Sequence, residues 1–166
     1  MTKYAVQHEI LYWFEKPGGP RTFNANEGVE HYKDEDRAVA LAKGVGRVSE
    51  ASLDRGRLPR SFLDFARENS RSKERAYGTH PSMKPLALCE HLVKLHSNEG
   101  DRVVVPFAGS GSELIAAAKL GRRVRAAEIA GEYVELIGRR CEGHGLALRV
   151  VDPSEPDAKR AREETV

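Results

Sequence analysis

The pattern of apolar and polar residues divides the chain into an aromatic run, a long irregular stretch and a regular second half. Residues 9–14 are strongly apolar and aromatic and are followed by Lys-Pro-Gly-Gly-Pro, which predicts a buried strand and then an obligatory break. Residues 21–79 are polar and weakly patterned, with helical fragments predicted only near residues 34–43 and 61–68. A long insert of this kind inside a compact domain is usually functional or mobile.

Regular periodicity resumes at His80 and alternates between helices and strands. Helices are predicted over residues 85–97, 112–120 and 132–142, and strands over residues 103–105, 124–129 and 146–151. Pro85 suits the first turn of a helix, and Gly121 suits a left-handed exit from one. The order βαβαβ predicts an α/β fold that is half of a doubly wound parallel sheet with right-handed crossovers.

These patterns predict four segments in a chain of single-domain length. They are a core strand within residues 1–20, the irregular insert at 21–79, the βαβαβ half at 80–152 and a disordered, mostly charged tail at 153–166.

Composition narrows the class of protein. The chain is 40% hydrophobic and 31% charged, which is typical of a soluble protein with a heavily charged surface. No apolar run approaches the roughly 20 residues that cross a bilayer, and the N-terminus lacks a basic-then-apolar signal pattern, so a cytoplasmic location is expected. Cys89 and Cys141 fall on apolar helix faces without a Cys-x-x-Cys or histidine pair, which predicts structural thiols and no metal site.

Arginine is concentrated in one part of the chain, although the net charge is only +2. Seven arginines and one lysine lie between residues 47 and 75, against five acidic residues. The planar guanidinium fork matches phosphate oxygens, so phosphate contact is one interpretation. A solvated surface segment is the other, and the residues alone leave both open.

The turn between the strand at 103–105 and the helix at 112–120 carries the clearest chemistry. Gly109 and Gly111 lack the Cβ atoms that would keep a ligand from the backbone, and the N–H groups that start the helix favour negative charge. Glu128 ends the next strand about 20 residues later, where a carboxylate can accept both hydroxyls of a ribose. The arrangement indicates an adenosine-containing cofactor, with a tight turn that binds nothing as the structural alternative.

Two other nucleotide-binding motifs do not fit this loop. No Gly-Lys-Ser/Thr follows the glycines, which excludes a P-loop. Leu114 stands where the dinucleotide fingerprint Gly-x-Gly-x-x-Gly has its third glycine, so that fingerprint is incomplete.

Several motifs, taken in order, resemble the family of DNA amino-methyltransferases. They are Tyr-Gly-Thr-His-Pro-Ser-Met-Lys-Pro-Leu at residues 77–86, Pro-Phe-Ala-Gly-Ser-Gly at 106–111, Ala-Glu-Ile at 127–129 and Glu-Tyr at 132–133. Enzymes of this family transfer a methyl group from S-adenosylmethionine to the exocyclic amine of adenine or cytosine. The order resembles the permuted branch, in which the catalytic half and the target-recognition region precede the cofactor half. Residues 8–16 resemble, more weakly, that branch's last strand before the recognition region.

The resemblance implies a partial Rossmann-like methyltransferase fold, S-adenosylmethionine as cofactor and double-stranded DNA as partner. The segment after His80 would border the methionine end of the cofactor, the loop would wrap its amino acid and ribose, and Glu128 would hold the ribose hydroxyls. The implied cofactor-binding residues are His80, Pro81, Lys84, Pro106, Phe107, Ala108, Gly109, Ser110, Gly111 and Glu128. The implied DNA-contacting residues, within the region that resembles target recognition, are Arg55, Arg57, Arg60, Arg71, Lys73 and Arg75. A capped turn at His80 and an ordinary surface lysine at Lys84 are the plainer alternatives.

Two departures from the family pattern bear on activity. Val105 stands where the family usually has an acid that helps to position the charged end of the cofactor. The family's catalytic motif, an Asp, Asn or Ser followed by Pro-Pro and an aromatic residue, is absent, because no two of the eight prolines are adjacent. That motif accepts the hydrogens of the attacking amine while its ring stacks on the flipped base. Asp152-Pro153 is the nearest approach and is interpreted as a linker, so no catalytic residue is predicted.

In the permuted order the missing motif would lie upstream of Met1. The chain is therefore expected to be the carboxy-terminal half of a site-specific DNA methyltransferase of the restriction-modification type. Its activity would depend on a second chain with the catalytic half or on self-association, since a half-sheet leaves an exposed edge and an apolar face. The alternative from another class is an inactive methyltransferase-like module that binds DNA or protein. A loop for a different adenosine-containing ligand is less favoured, because it leaves His-Pro-x-x-Lys-Pro unexplained.

Overall fold

The computed structural model describes residues 9–28, 62–69 and 71–152. Regular structure is concentrated in the second half, as the alternating pattern predicts. It consists of helix α1 (Leu86–His96), strand β1 (Arg102–Val105), helix α2 (Ser112–Lys119), strand β2 (Arg123–Ala126) and helix α3 (Gly131–Gly143). Two short 3-10 turns precede these elements, at Ala25–Gly28 and Lys73–Tyr77.

The two strands lie side by side and run in the same direction. Arg102 pairs with Arg123 and Val105 pairs with Ala126, while α2 connects the strands. A parallel pair needs a crossover connection, and the alanine-rich sequence of α2 supplies one because alanine and leucine favour helix. The β1-α2-β2 unit confirms the predicted fold class, α/β with a partial Rossmann-like arrangement.

The hydrophobic core covers one face of the strand pair. Its main cluster joins the end of β1 to α2 and α3 and contains Val105, Ala108, Leu114, Ile115, Ile137 and Cys141. Val104 points the other way and is 67% exposed. Strand β1 is therefore buried on one side only, because successive side chains of a strand face opposite sides and the described helices pack on one side.

Helix α2 ends as the sequence predicts. Gly121 has a φ of +78°, and its N–H donates to the carbonyl of Ala118 at 3.0 Å. The N–H of Arg122 donates to the carbonyl of Ala117 at 2.9 Å. This pair of bonds closes the helix with a left-handed glycine and leads the chain directly into β2.

The two cysteines are buried and free, and their burial agrees with the predicted positions on apolar helix faces. Burial raises the pKa of the Cys89 thiol to about 12. Burial likewise raises the pKa of Cys141. Both thiols are therefore protonated at neutral pH and behave as small apolar side chains.

The prediction of a strand is wrong for two segments. Residues 9–14 form no strand, and the exposed fractions of their apolar side chains run from 49% at Trp13 to 87% at Phe14. Residues 146–151 form no strand either, and Val150 is 64% exposed. Both runs have strand-like composition, but a strand needs a neighbour to share its backbone hydrogen bonds. Within the described ranges the sheet contains β1 and β2 alone.

Two further boundaries differ from the prediction. Strand β2 ends at Ala126 and not at residue 129, although Ala127 still donates to the carbonyl of Val105, and Glu128 turns its carboxylate toward the loop. The helix predicted at residues 61–68 is not formed in the described stretch 62–69. There Glu68 instead accepts hydrogen bonds from Ser72 and Arg75, beside the second 3-10 turn.

The segment at residues 9–28 is fastened to both ends of α1. Near the start of the helix, Lys84 forms an ion pair with Glu9. The hydrogen bond from Lys84, and then its positive charge, lower the pKa of that carboxyl. Near the end of the helix, the ring of Trp13 packs edge-on against His96 with centroids 4.1 Å apart. Burial lowers the pKa of His96.

Several predictions fall outside the described residues, namely the helical fragment at 34–43 and the tail at 153–166. The four segment boundaries stay predictions. Across residues 9–28, 62–69 and 71–152, none of the helices has both the length and the apolar character needed to span a membrane.

Candidate cofactor site

The candidate site is built on the turn that joins β1 to α2. The N–H of Gly111 donates to the carbonyl of Ala108 at 2.7 Å, which closes the turn. Gly109 and Gly111 have φ values of +52° and +78°, a region that side chains other than glycine rarely adopt. Gly111 is also the residue before α2 and offers no side chain to cap the helix. The sequence therefore needs glycine here for the backbone conformation itself.

The carboxylate of Glu128 bridges the loop and the start of α3. One oxygen accepts the N–H of Gly109 at 2.7 Å, and the other accepts the N–H of Ala130 at 2.9 Å. Both bonds lower the pKa of Glu128, and the bond from Ala130 has the larger effect. The group is therefore ionised at neutral pH. The N–H of Ile129 acts in the same direction, and because the two carboxylate oxygens have about four lone-pair sites in all, at least one remains after these three interactions. The carboxylate is thus fixed in place and still able to accept a ligand hydroxyl.

The imidazole of His80 lies directly against Gly109. A Cβ atom at Gly109 would stand 3.1 Å from Nε2 of His80, so the glycine makes room for this ring. The N–H of Ser82 donates to Nδ1 at 3.1 Å, which leaves the proton of the neutral ring on Nε2. The ring of Tyr133 packs edge-on at 4.4 Å. The structure therefore brings His80 to the loop, as the motif order predicts.

The rest of the His-Pro-x-x-Lys-Pro segment lies beside the loop through its backbone. The hydroxyl of Ser112 donates to the carbonyl of Lys84 at 2.9 Å. Met83 is buried, whereas Pro81 is exposed. The ammonium group of Lys84 pairs with Glu9 rather than with the loop. The cofactor-binding role of Lys84 stays a prediction.

Gly111 has a packing role that sequence reasoning did not assign. A Cβ atom there would stand 2.8 Å from Cγ1 of Ile137 in α3. The missing side chain therefore lets α3 approach the loop. The cofactor-binding role of the loop residues stays a prediction.

Two apolar side chains stand in solvent at the carboxyl ends of the strands. Phe107, in the loop, is 92% exposed, and Ile129, next to Glu128, is fully exposed. Burial of such side chains is favourable when a flat apolar group covers them. Ile129 was not among the predicted site residues, although its position after Glu128 in Ala-Glu-Ile could have indicated it.

A buried charged network under the loop was also missed. Arg140 of α3 is fully buried and pairs with Glu74 of the Lys73–Tyr77 turn, with Nη2 2.6 Å from the carboxylate. The same guanidinium donates to the carbonyl of Ser110 and, at 3.2 Å, to the hydroxyl of Ser112. Nothing in the composition distinguishes Arg140 from the neighbouring Arg139, because both lie in a helix rich in charge.

The predicted DNA-contacting residues fall into two groups. Arg71 and Lys73 are exposed and lie beside or within the Lys73–Tyr77 turn, and Arg75 is partly buried with its Nε donating to the carbonyl of Glu68 at 3.1 Å. Arg55, Arg57 and Arg60 lie outside the described residues. The structure thus places three of the six near one another, adjacent to the loop through Glu74.

A groove of about 700 Å³ runs along β1, and none of its described lining residues belongs to β2. Its lining comes from α1, β1 and the loop and includes Cys89, Leu92, Val93, His96, Val105 and Phe107. The groove is therefore largely apolar and reaches the candidate site at Phe107.

Comparison with known proteins identifies the family. The model of the N6 and N4 methyltransferases, described as DNA methylase, matches residues 2–139. The chain belongs to this DNA methylase family. The resemblance drawn from the motifs is thereby confirmed.

Curated relatives of this DNA methylase chain are longer than it is. The type II methyltransferase M.HpaI of Haemophilus parainfluenzae is 35% identical over 149 residues, which cover 90% of this chain and 43% of the relative. M1.MboII of Moraxella bovis is 32% identical over 139 residues, which cover 79% of this chain and 52% of the relative. The DNA adenine methyltransferase YhdJ of Escherichia coli is 36% identical over 86 residues, which cover 52% and 29%. The chain spans about half of these relatives or less.

Two solved structures overlap the chain in part. The M1.HpyAVI–SAM complex is 38% identical, covers 37% of this chain and 30% of that one, and has a TM-score of 0.36. TTHA0409 from Thermus thermophilus, complexed with S-adenosyl-L-methionine, is 32% identical and has a TM-score of 0.39. The match covers 54% of this chain and 44% of that one. With overlap this partial, the fold assignment rests on the strands and helices of the chain itself.

Proposed function

We propose that this chain binds S-adenosylmethionine and DNA as the cofactor half of a DNA amino-methyltransferase. The reaction is methyl transfer to the exocyclic amine of adenine or cytosine. The observation that carries the proposal is the Glu128 carboxylate, ionised and held between the N–H groups of Gly109 and Ala130, with a lone pair left to accept a ligand hydroxyl. Membership of the DNA methylase family supplies the class of reaction.

The residues at the loop fit the cofactor that the family implies. Glu128 would accept the ribose hydroxyls, and the exposed side chains of Phe107 and Ile129 offer apolar surface for the adenine. His80, beside Gly109, would border the methionine end, as the resemblance suggests. The bound cofactor supplies a methyl group on a sulfonium, which the amine of the base can attack.

The DNA contacts in this proposal come from the arginine-rich region. Arg71, Lys73 and Arg75 would contact phosphates, together with Arg55, Arg57 and Arg60. Exposure of Arg71 and Lys73 supports this role, because a phosphate contact requires an accessible cation.

The catalytic motif would come from a second chain. The amine of a nucleobase is a poor nucleophile, and hydrogen-bond acceptors must take its hydrogens as it attacks. The Pro-Pro motif that provides them does not occur in the 166 residues of this sequence. We therefore expect activity from a pair of chains.

The groove along β1 is the proposed docking site for that second chain. Carbonyls of Asp101 and Val105 accept N–H groups from β2 and its extension, so by strand alternation the peptide groups of Arg102 and Val104 face the other edge. A parallel strand added to that edge would cover the groove, and its carboxyl end would lie beside Phe107. A catalytic motif that follows such a strand would thus reach the cofactor loop.

Calorimetry with S-adenosylmethionine tests the binding step. The wild-type chain should bind with micromolar affinity, and Glu128→Ala should weaken binding at least about tenfold, because a charge-assisted hydrogen bond to the ribose is lost. Glu132→Ala, on the exposed first turn of α3, is the matched control and should bind as the wild type does.

Methyl transfer from labelled cofactor to duplex DNA tests the reaction. The chain alone should be inactive, and a mixture with a polypeptide that carries an Asp-Pro-Pro-Tyr-like motif, such as one encoded by a neighbouring reading frame, should be active. A chain that binds the cofactor but stays inactive with every candidate partner would contradict the two-chain proposal.

An inactive DNA-binding module is the second candidate, and one observation favours it. Side chains of the protein itself, His80 and Ile137, occupy the space that the two loop glycines leave. This candidate predicts duplex binding that weakens steeply with salt and no heat of binding with S-adenosylmethionine. The calorimetric experiment therefore separates the two functions.

A further inference from the structure

The buried cation Arg140 is the feature that the proposed function leaves unexplained. Its side chain has no exposed surface, yet it carries a full positive charge inside the domain. A buried charge is tolerated only where an opposite charge and well-placed hydrogen bonds compensate for the lost water. The partners of Arg140 therefore indicate what the residue is for.

The compensating charge comes from Glu74 in the Lys73–Tyr77 turn. Its Oε2 accepts hydrogen bonds from Nε and Nη2 of Arg140, at 3.0 and 2.6 Å. Its Oε1 lies 2.9 Å from Nε2 of His144. The carboxylate is 13% exposed, so the pair lies mostly out of water. Neighbouring positions of this turn carry the proposed DNA-contacting residues Lys73 and Arg75.

The third nitrogen of the Arg140 guanidinium forms a hydrogen bond with the cofactor loop. Nη1 donates to the backbone carbonyl of Ser110, a residue that is 4% exposed, and to the hydroxyl of Ser112. That hydroxyl in turn donates to the carbonyl of Lys84. One guanidinium thus connects the loop, the first residue of α2 and, through Glu74, the turn at Lys73–Tyr77.

We propose that Arg140 is a positioning residue for the cofactor loop, and that Glu74 links the loop to the DNA-contacting turn. A loop that is closed by one backbone hydrogen bond and contains two glycines has little conformational restraint of its own. The bond from Arg140 holds the Ser110 carbonyl inward, which keeps the opposite side of the loop available to the cofactor. This inference rests on the proposed function, since it assigns a role toward the same ligand.

The test uses variants that separate positioning from stability. The double variant Arg140→Met with Glu74→Leu removes both charges, and replacement of a buried pair by apolar residues is often neutral for folding. Arg140→Lys keeps the charge but loses the planar fork. The matched control is Arg139→Met, because Arg139 donates to the carbonyl of Tyr77 in the same turn, and none of its described contacts reaches the loop.

Amide hydrogen exchange gives the first readout and needs no ligand. In the double variant, exchange should rise about tenfold or more at residues 109–113, while Ala116 and Ala117 in the middle of α2 keep wild-type rates. The Arg139→Met control should keep wild-type exchange throughout. Wild-type exchange of the loop in the folded double variant would overturn the proposal.

Calorimetry with S-adenosylmethionine gives the second readout. The double variant and Arg140→Lys should bind about tenfold more weakly than the wild type, while Arg139→Met should be unchanged. Wild-type affinity in the folded double variant would overturn the inference and leave the proposed function intact. If the wild-type chain itself shows no heat of binding with S-adenosylmethionine, the proposed function is contradicted. The hydrogen-exchange experiment then decides alone whether Arg140 positions the loop.

Discussion

Gly111 lies where the loop, α2 and α3 meet, and a substitution there has a definite expected cost. In Gly111→Ala the new Cβ would stand 2.8 Å from Ile137, and the φ of +78° disfavours any side chain. Together these effects should lower the free energy of unfolding by at least about 2 kcal/mol. Urea denaturation followed by circular dichroism measures this loss.

The matched control for that substitution is Gly138→Ala in the middle of α3. A Cβ atom there would have no neighbour within 4 Å, so the gain in helix propensity should stabilise the protein by about 0.5–1 kcal/mol. Equal losses in both variants would contradict the packing role of Gly111.

Glu128 should contribute stability that depends on pH. Its pKa in the folded chain lies below the ordinary value of 4.5, since N–H groups of Ala130 and Gly109 stabilise the carboxylate. The contribution is therefore fully present above about pH 4.5 and is lost as the pH falls through the lower, folded value. In melting experiments Glu128→Gln should have a lower Tm than the wild type at pH 7.

The difference in Tm should shrink as the pH falls from about 5 to 3, because the wild-type carboxyl then becomes protonated as well. Glu132→Gln, in the exposed first turn of the same helix, should show a smaller difference in Tm that changes less with pH. A gap that stays constant down to pH 3 for Glu128→Gln would contradict the role of its charge.

At the scale of elements, α1 depends on a residue far away in sequence. The side chain of Asn24 donates to the carbonyls of Lys94 and Ser97 at 3.0 Å each, where the helix leaves its last carbonyls unpaired. Its N–H also donates to the carbonyl of Leu95 at 2.8 Å. Asn24→Ala should therefore lower the free energy of unfolding by about 1–3 kcal/mol in urea titrations.

Asn26→Ala is the control for this cap, because Asn26 is exposed in the adjacent 3-10 turn. Its effect should stay within about 0.5 kcal/mol. If the two alanine variants unfold at the same urea concentration, the cap contributes nothing.

The sequence correctly predicted the helix ends that are determined by residues at those ends. Helix α1 begins after Pro85 and α2 exits at Gly121, since these residues restrict the backbone wherever they occur. It failed for residues 9–14 and 146–151, whose composition favours strand but whose pairing depends on a neighbour that no local pattern reveals. Arg140 was missed for the same reason, because its partner Glu74 lies 66 positions away.

The same distinction between local and distant causes applies to the candidate site. The position of Glu128 beside Gly109 was predicted because the strand ends of a parallel pair meet at one edge, whereas that of His80 followed from the resemblance. The contact of Gly111 with Ile137 and the pairing of Lys84 with Glu9 depend on packing between distant segments, and the motifs carry no information about either.

At the scale of the whole molecule, the described part of the chain leaves apolar surface that a partner could cover. One face of the strand pair is bare at Val104, and the aromatic side chains of residues 9–14 stand in solvent. Exposed apolar surface of this kind is typical of interaction sites. We expect the second chain of the proposed enzyme to cover this surface.

Val104→Lys tests this docking edge directly. The side chain is 67% exposed, so the isolated variant should keep the wild-type Tm within a few degrees. A lysine on an edge strand disfavours strand addition, so association with the chain that carries the catalytic motif should weaken at least about tenfold, together with methyl transfer by the pair. Val150→Lys is the matched control, because Val150 is 64% exposed and lies outside the sheet. Analytical ultracentrifugation of the mixed chains measures the association, and equal affinity for the two variants would place the partner elsewhere on the surface.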